Sequence, residues 1–391
     1  MDAERLCPCP SLPAAAATAA LSMVLYDDDL LEEILLRLVF PTSLVRAALI
    51  CRRWLRVVSN QAFLRRFRDL HPPRLLGFYL NTARRGSPWF IATPQPPAEL
   101  AAAVRLAGSI HETVSGMATI LECQNGRLLA ERTDNTWVII NPLHPARERD
   151  AVILPPRPYA ECGVYTMCLT TDGVACAARI ATFPRLGSHV VHELRGGTWH
   201  SLSSTALDLP LPGPPVLIPR PVNGKMYLMC CAIDIAKLPS ELSELPYLSI
   251  IVLPHGVECK HKGNVRAWTD DSGVYLVQVK ELQLRVWIYM TDSGKWLLQT
   301  TICLGEVCAQ LGVADLASGD GLISTATDIK IRDVGHSAEF VLLQVGFDVL
   351  YIHIKSRNAE KVYTVKPEES GTRLVPFMMI WPPNFPVRDG L

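Results

Sequence analysis

At 391 residues the chain is long enough for one large domain, or a small one joined to a large one, with ample core. Its 38 Lys and Arg balance 38 Asp and Glu, which excludes a whole-molecule field that would recruit nucleic acid or an anionic membrane. The 49% hydrophobic content predicts a globular protein, and 12 Cys scattered without CxxC pairs fit reduced thiols in a cytoplasmic or nuclear protein rather than disulfides.

Residues 1–24 read as a disordered leader. Asp2 and Glu4 charge its start, three prolines interrupt it, and the uncharged stretch from Ser11 to Tyr26 is shorter than a membrane span. No apolar run elsewhere is long enough to cross a bilayer.

A dense apolar segment follows, DDDLLEEILLRLVFPTSLVRAALICRRW, residues 27–54. Asp27, Asp28 and Asp29 suit a helix N-terminus, and Leu30, Leu31, Ile34, Leu35 and Leu38 then recur at helical spacing. Pro41 is expected to stop this first helix, with Thr42 or Ser43 capping the next. Leu44, Ala48, Cys51, Leu55 and Val58 continue the stripe with a break near Ile50, and QAFLRRFRDLH adds a third piece carrying Phe63 and Phe67. Three short helices in about 45 residues lie near the lower limit for an independent core. Leu36, Val39, Phe40, Val45, Ile50 and Trp54 stand off the main stripe, so these helices either want a second surface or are a cap buried on the rest of the chain.

The run from Leu25 to Phe67 resembles an F-box. The shared pattern is an acidic-apolar helix, Pro and Ser-Leu, a Cys-basic-x-Trp helix and a closing Phe; Tyr26, Val39-Phe40 and Gln61 replace the usual Pro-bearing positions. The resemblance implies a small helical module that docks on the Skp-type adaptor of a cullin ubiquitin ligase. It assigns Leu25, Leu30, Ile34, Leu38, Pro41, Leu44, Val45, Cys51 and Trp54 to adaptor contact or to the support behind it. Arg52, Arg53, Arg56, Arg65, Arg66 and Arg68 could instead mark a nucleic-acid reader. Base-reading Asn or Gln and interleaved aromatics are missing, so a solvated helix face is the better account.

From residue 75 the texture changes to short β-branched and aromatic runs punctuated by Pro, Gly, Asn and Asp. Residues 81–102 are Pro-rich and read as a loop, with a short helix near PAELAAAVRLA. Pro is dense at 210–221 and absent between Pro254 and Pro367, so that proline-free span is expected to hold the better-paired strands. Turn pairs at Asn125-Gly126, Asp172-Gly173, Asn223-Gly224, Ser272-Gly273, Asp320-Gly321 and Ser370-Gly371 are spaced by 47, 51, 49, 48 and 50 residues. Each precedes a strand-like run, and such pairs supply the positive φ of tight hairpins. Units of this length match four-stranded propeller blades, six to eight of which would fill residues 75–391. Trp137, Trp199, Trp287 and Trp296 would fill gaps between packed sheets.

ILECQNGRLLAERTDNTWVIINPLHPARERDAVILPPRP, with PVNGKMYLM and LQLRVWIYMTDSGKWLLQTTICL, resembles the β-propeller region of plant F-box proteins, the grass-type members most. Together the resemblances imply a mainly β protein with a small all-α N-terminal module: a three-helix F-box over residues 25–70, then a kelch-like β-propeller of about six to eight blades over 75–391. GxSxG, Walker, GxGxxG and HExxH motifs are absent. His255, Cys259 and His261 lack an obvious fourth metal ligand, and neither Cys230-Cys231 nor Asp333 with His336 forms a recognisable constellation. The expectation is a non-catalytic adaptor without cofactor, metal, nucleic acid or membrane partner, holding a ligase through its helices and a target protein through its propeller. A propeller-type enzyme or a carbohydrate-binding protein with a helical leader is the alternative.

Overall fold

A computed structural model describes residues 26–81, 87–94, 96–110, 116–143, 152–156, 164–172, 175–183, 188–195, 198–206, 216–222, 225–230, 248–257, 263–270, 273–313, 329–335, 339–369, 372–383 and 385. The expected leader and Leu25 lie outside them. The chain divides into two compact units, Met1–Arg74 with Met379–Leu391, and Leu75–Met378. Sequence patterning ran the β region on to residue 391; the tail from Met379 groups instead with the helices.

Among its described residues the helical unit holds four helices where three were expected: α1 Asp28–Leu36, α2 Pro41–Ala48, α3 Arg52–Val58 and α4 Gln61–Leu70. The expected break near Ile50 is real and complete, because Cys51 is fully extended (φ −159°, ψ 168°) and restarts the chain as the cap of α3. Asp27 caps α1, its carboxylate accepting from the Asp29 and Leu30 N–H groups at 2.9 and 3.1 Å. Pro41 starts α2 rather than stopping α1. Its missing N–H falls where helices leave donors unpaired anyway, so Thr42 and Ser43 sit inside the helix and cap nothing. Asn60 caps α4 through Ala62 N–H at 2.8 Å. The buried core is Leu31, Leu35, Leu36, Leu44, Ala47, Ala48, Val58, Phe63, Leu64 and Phe67 together with Trp381 from the C-terminal tail.

The β unit opens with β1 Leu75–Asn81 and β2 Trp89–Ala92. The second of these is a strand inside the segment read as a loop, formed because Phe90 packs on Tyr79 and Phe377. The expected short helix is present as α5 Ala101–Gly108. Then come β3 Met117–Gln124, β4 Arg127–Arg132, β5 Trp137–Ile140, β6 Val152–Ile153, β7 Val164–Asp172, β8 Ala175–Phe183, β9 Ser188–Arg195 and β10 Thr198–Ala206. The remainder are β11 Val216–Val222, β12 Lys225–Cys230, β13 Leu248–Val252, β14 Val265–Asp270, β15 Gly273–Lys280, β16 Gln283–Met290, β17 Lys295–Cys303, α6 Leu304–Gln310, β18 Ile329–Val334, β19 Phe340–Val345, β20 Asp348–His353, β21 Ala359–Thr364 and β22 Arg373–Met378.

Among the described residues these strands form six sheets: β3 to β6, β7 to β10, β11 to β13, β14 to β17, β18 to β21, and β2-β1-β22. Pairing is antiparallel except for β12 with β13. The edge strands β3, β7, β11, β14, β18 and β22 touch one another in a closed ring, as the inner strands of a propeller-like fold do. Both described Pro-bearing strands of this ring obey the edge rule: β11 carries Pro219 and Pro221 where its register shifts, and β22 carries Pro376. The proline-free span holds two complete four-stranded sheets, plus α6, which covers them with Leu304, Val307 and Cys308.

Closure joins the two ends of the unit. β22 pairs antiparallel with β1, Leu80 opposite Leu374 and Asn81 opposite Arg373. Asn81 then continues the ladder with its side chain, donating Nδ2–H to the Ile120 carbonyl at 2.7 Å and accepting from Ile120 N–H at 2.9 Å.

The first member of the repeat is a described turn. Asn125 (φ 48°) and Gly126 (φ 72°) form the two-residue turn between β3 and β4. Asp172 ends β7 and Gly273 opens β15, whereas Gly173, Asn223, Gly224 and Ser272 lie outside the described residues. Asp320-Gly321 lies outside the described residues, in the span between α6 and β18. Ser370-Gly371, outside them too, precedes β22, so these two pairs occupy different places in the repeat. A second periodic contact supports it. Trp199 on β10 donates its indole N–H to the Pro155 carbonyl, and Trp296 on β17 donates to Val252, each reaching a segment that ends the outer strand of the preceding sheet. Asn81→Leu keeps volume but strands both polar groups of Ile120, and should cost the β unit about 2–4 kcal/mol in denaturant unfolding.

Candidate partner-binding surface

On α1 the residues Leu31 and Leu35 point inward, at 0% and 1% exposure, while their neighbours Leu30 and Ile34, one turn apart, stand 47% and 40% exposed. Leucine and isoleucine on a solvated helix face invite a partner. Tyr26, Val39, Leu49 and Ile50 are exposed as well. An ion pair gathers part of this set: Arg53 Nη2 on α3 meets Asp28 Oδ1 at 2.7 Å, and the Arg53 guanidinium lies 5.9 Å from the Tyr26 ring centroid. That contact brings the first turns of α1 and α3 together. Tyr26 therefore lies beside the start of α3, the helix that the Leu49-Ile50 turn precedes in sequence.

The other side of α1 is clamped to α4. Arg66 binds Glu32 at 2.5 Å and Glu33 at 2.6 Å, and the Glu33 hydrogen bond raises the guanidinium further above its ordinary range. His71 Nε2 donates to the Leu36 carbonyl at 2.8 Å and closes the C-terminal end of α1. Two of the six arginines that suggested nucleic-acid binding, Arg53 and Arg66, are thus engaged by carboxylates of α1.

Eight of the nine residues assigned from sequence are described, and they fall into three groups. Leu30 and Ile34 are exposed; Leu44 and Pro41 are buried, Leu44 completely. Leu38, Val45, Cys51 and Trp54 are half-buried, with Leu38 and Trp54 packed against the helical core. Leu25 lies outside the described residues. Leu36, read as off the stripe, is in the core at 3% exposure, and Phe40 lies under the Arg74 guanidinium at 5.3 Å. Leu49 lies in the turn after α2 and Tyr26 precedes α1, so neither falls on the periodic stripe that the sequence reading followed.

The β unit shows no assembled chemistry among its described residues. No group of three His, Cys, Asp or Glu there could hold a metal ion. Of the residues weighed from sequence, Cys231, His336, Cys259 and His261 lie outside those described, and His255 is exposed. Asp333 is held above the usual carboxylate range by burial, with Arg266 and Arg373 pulling it back. Burial also pushes the Cys123 and Cys308 thiols up, the reverse of what an activated nucleophile needs. Among the described residues, no helix is long and apolar enough to cross a membrane.

Comparison with known proteins adds two family matches. A model described as F-box domain matches residues 27–66, and one described as F-box protein AT5G49610-like, beta-propeller, matches residues 119–385. A search of curated proteins found no match. Solved structures similar to the chain include TolB from Acinetobacter baumannii (11% identity, 75% of this chain and 66% of that one, TM-score 0.31). A protein from Lactobacillus plantarum is similar at 10% identity over 75% of this chain and 81% of that one, TM-score 0.31. The fission yeast SREBP-SCAP binding domains match at 10% identity over 76% of this chain and 62% of that one, TM-score 0.22. The chain therefore spans just under two thirds of the first and third of these.

Surface and core residues should separate in unfolding experiments. Ile34→Asp should shift stability by no more than about 0.5 kcal/mol, whereas Leu44→Ala should cost about 2–5 kcal/mol by denaturant titration. Alkylation at pH 8, mapped by mass spectrometry, should modify exposed Cys303 in the native protein and buried Cys308 only after unfolding.

Proposed function

The chain belongs to the family of F-box proteins with an AT5G49610-like β-propeller, and from that membership we propose that it is the substrate-receptor subunit of a Skp–cullin–F-box ubiquitin ligase. The observation that carries this reading is the exposed apolar set on the helical unit. Tyr26, Leu30, Ile34, Val39, Leu49 and Ile50 stay in water although the core of that unit is filled by other residues. A Skp-type adaptor would cover them, and through it a cullin would be recruited.

In this reading Leu30 and Ile34 are contact residues. Leu38, Pro41, Leu44, Val45, Cys51 and Trp54 hold the helices that present them, and Leu25 would precede α1. A standard interface of about 1,600 Å² would suffice, with a few central anchors dominating its energy. The propeller-like unit takes a target protein on its inter-strand loops, which sit on a rigid β scaffold. No residue of this chain acts on the target covalently. Holding a target lysine near a charged ubiquitin-conjugating enzyme raises its effective concentration, and that proximity is the mechanism. The protein works without cofactor in the cytoplasm, the nucleus or both.

Co-purification tests the reading. Ile34→Asp places a charge in a desolvated interface and should weaken adaptor capture at least 30-fold, by about 2 kcal/mol or more. Undiminished capture by Ile34→Asp combined with Ile50→Asp would remove the docking assignment. Proteins that remain bound when residues 25–70 are deleted are candidate targets.

A further inference from the structure

We infer that the segment after the β unit, through Trp381, is an integral part of the docking module: it completes the core behind the adaptor-facing helices. This inference rests on the adaptor reading above. The helices α1 to α4 contain nine, eight, seven and ten residues, too little for an independent core without a staple. Trp381 is that staple. It is buried to 9% exposure in the same cluster as Leu31, Leu35, Leu44, Phe63 and Phe67, and Phe385 packs against that cluster too. Its indole stacks on Phe67, with centroids 5.6 Å apart and planes 4° from parallel.

Phe67 in turn packs on the His71 ring at 4.7 Å, and His71 holds the last turn of α1 through Leu36. The tail is thus two contacts from the helix that presents Leu30 and Ile34. A second anchor is backbone: Met379 N–H donates to the Arg74 carbonyl at 2.9 Å, and Arg74 covers Phe40, the residue that caps α2. Trp381 follows residues 75–378 in synthesis. A chain that has not yet made its β unit therefore lacks a finished docking module and cannot occupy the adaptor as a receptor without a target-binding half.

The test uses the full chain in four forms: unmodified, Trp381→Ala, Trp381→Phe and Ile34→Asp. Adaptor affinity is measured by titration, and hydrogen exchange is followed over residues 28–70. Trp381→Ala should raise exchange across all four helices and weaken adaptor binding roughly tenfold or more, since only the folded fraction is competent. Trp381→Phe, which keeps a stacking ring, should hold both within about threefold of the unmodified chain. Ile34→Asp should lose binding with exchange unchanged, which separates a damaged surface from a damaged core. Unmodified exchange and affinity in Trp381→Ala would overturn the inference. Should the unmodified chain itself ignore the adaptor, the functional reading falls; protection lost in Trp381→Ala would still uphold the staple, and protection kept would refute it.

Discussion

Pairing of the last strand with the first is the interaction on which the β unit depends. Every sheet of the ring leans on two neighbours, so an open ring would leave the flanks of two sheets facing water with their leucines and phenylalanines. β22 prevents this by laying Leu374 and Phe377 beside β1, where Phe78, Tyr79 and Leu80 are all fully buried. Asn81 seals the seam in a way that hydrophobic packing alone could not. Its amide turns one N–H and its carbonyl oxygen on Ile120, the same pair a peptide group would offer, and so extends the ladder to the neighbouring sheet.

Much of this architecture was legible in the chain because two periods dominate it. Helical spacing near the N-terminus and a recurrent turn every 47–51 residues identify which segments are helix and where most sheets begin. What escaped notice has a common cause: it depends on partners distant in sequence. β2 looks like a Pro-rich loop until Phe90 is seen against Tyr79 and Phe377. Trp381 sits in IWPPNF, a short aromatic and proline stretch with no period, and its place in the helical core follows only from the course of the chain. Aromatic side chains outside any periodic segment were the one available hint.

The candidate surface was legible in kind more than in detail. Spacing correctly placed Leu30 and Ile34 on a helix, yet it could not separate an exposed position from a buried one when both faces are apolar. Leu30 and Leu31 are adjacent leucines with opposite fates, decided by which of them meets α3 and α4. Charge resolves part of the ambiguity: the acids of α1 that looked like helix-end signals also select their partners, Asp28 taking Arg53 and the Glu32-Glu33 pair taking Arg66.

The backbone bond between Met379 and Arg74 carries a consequence of its own. Two residues more than 300 apart in sequence are neighbours in space, so the intervening β unit is, in topological terms, a cassette inserted between adjacent points of a helical host. Hosts of this kind tolerate exchange of the insert, because swapping it disturbs only two closely spaced joints. New recognition specificities could be grafted at those joints while the host helices remained as they are.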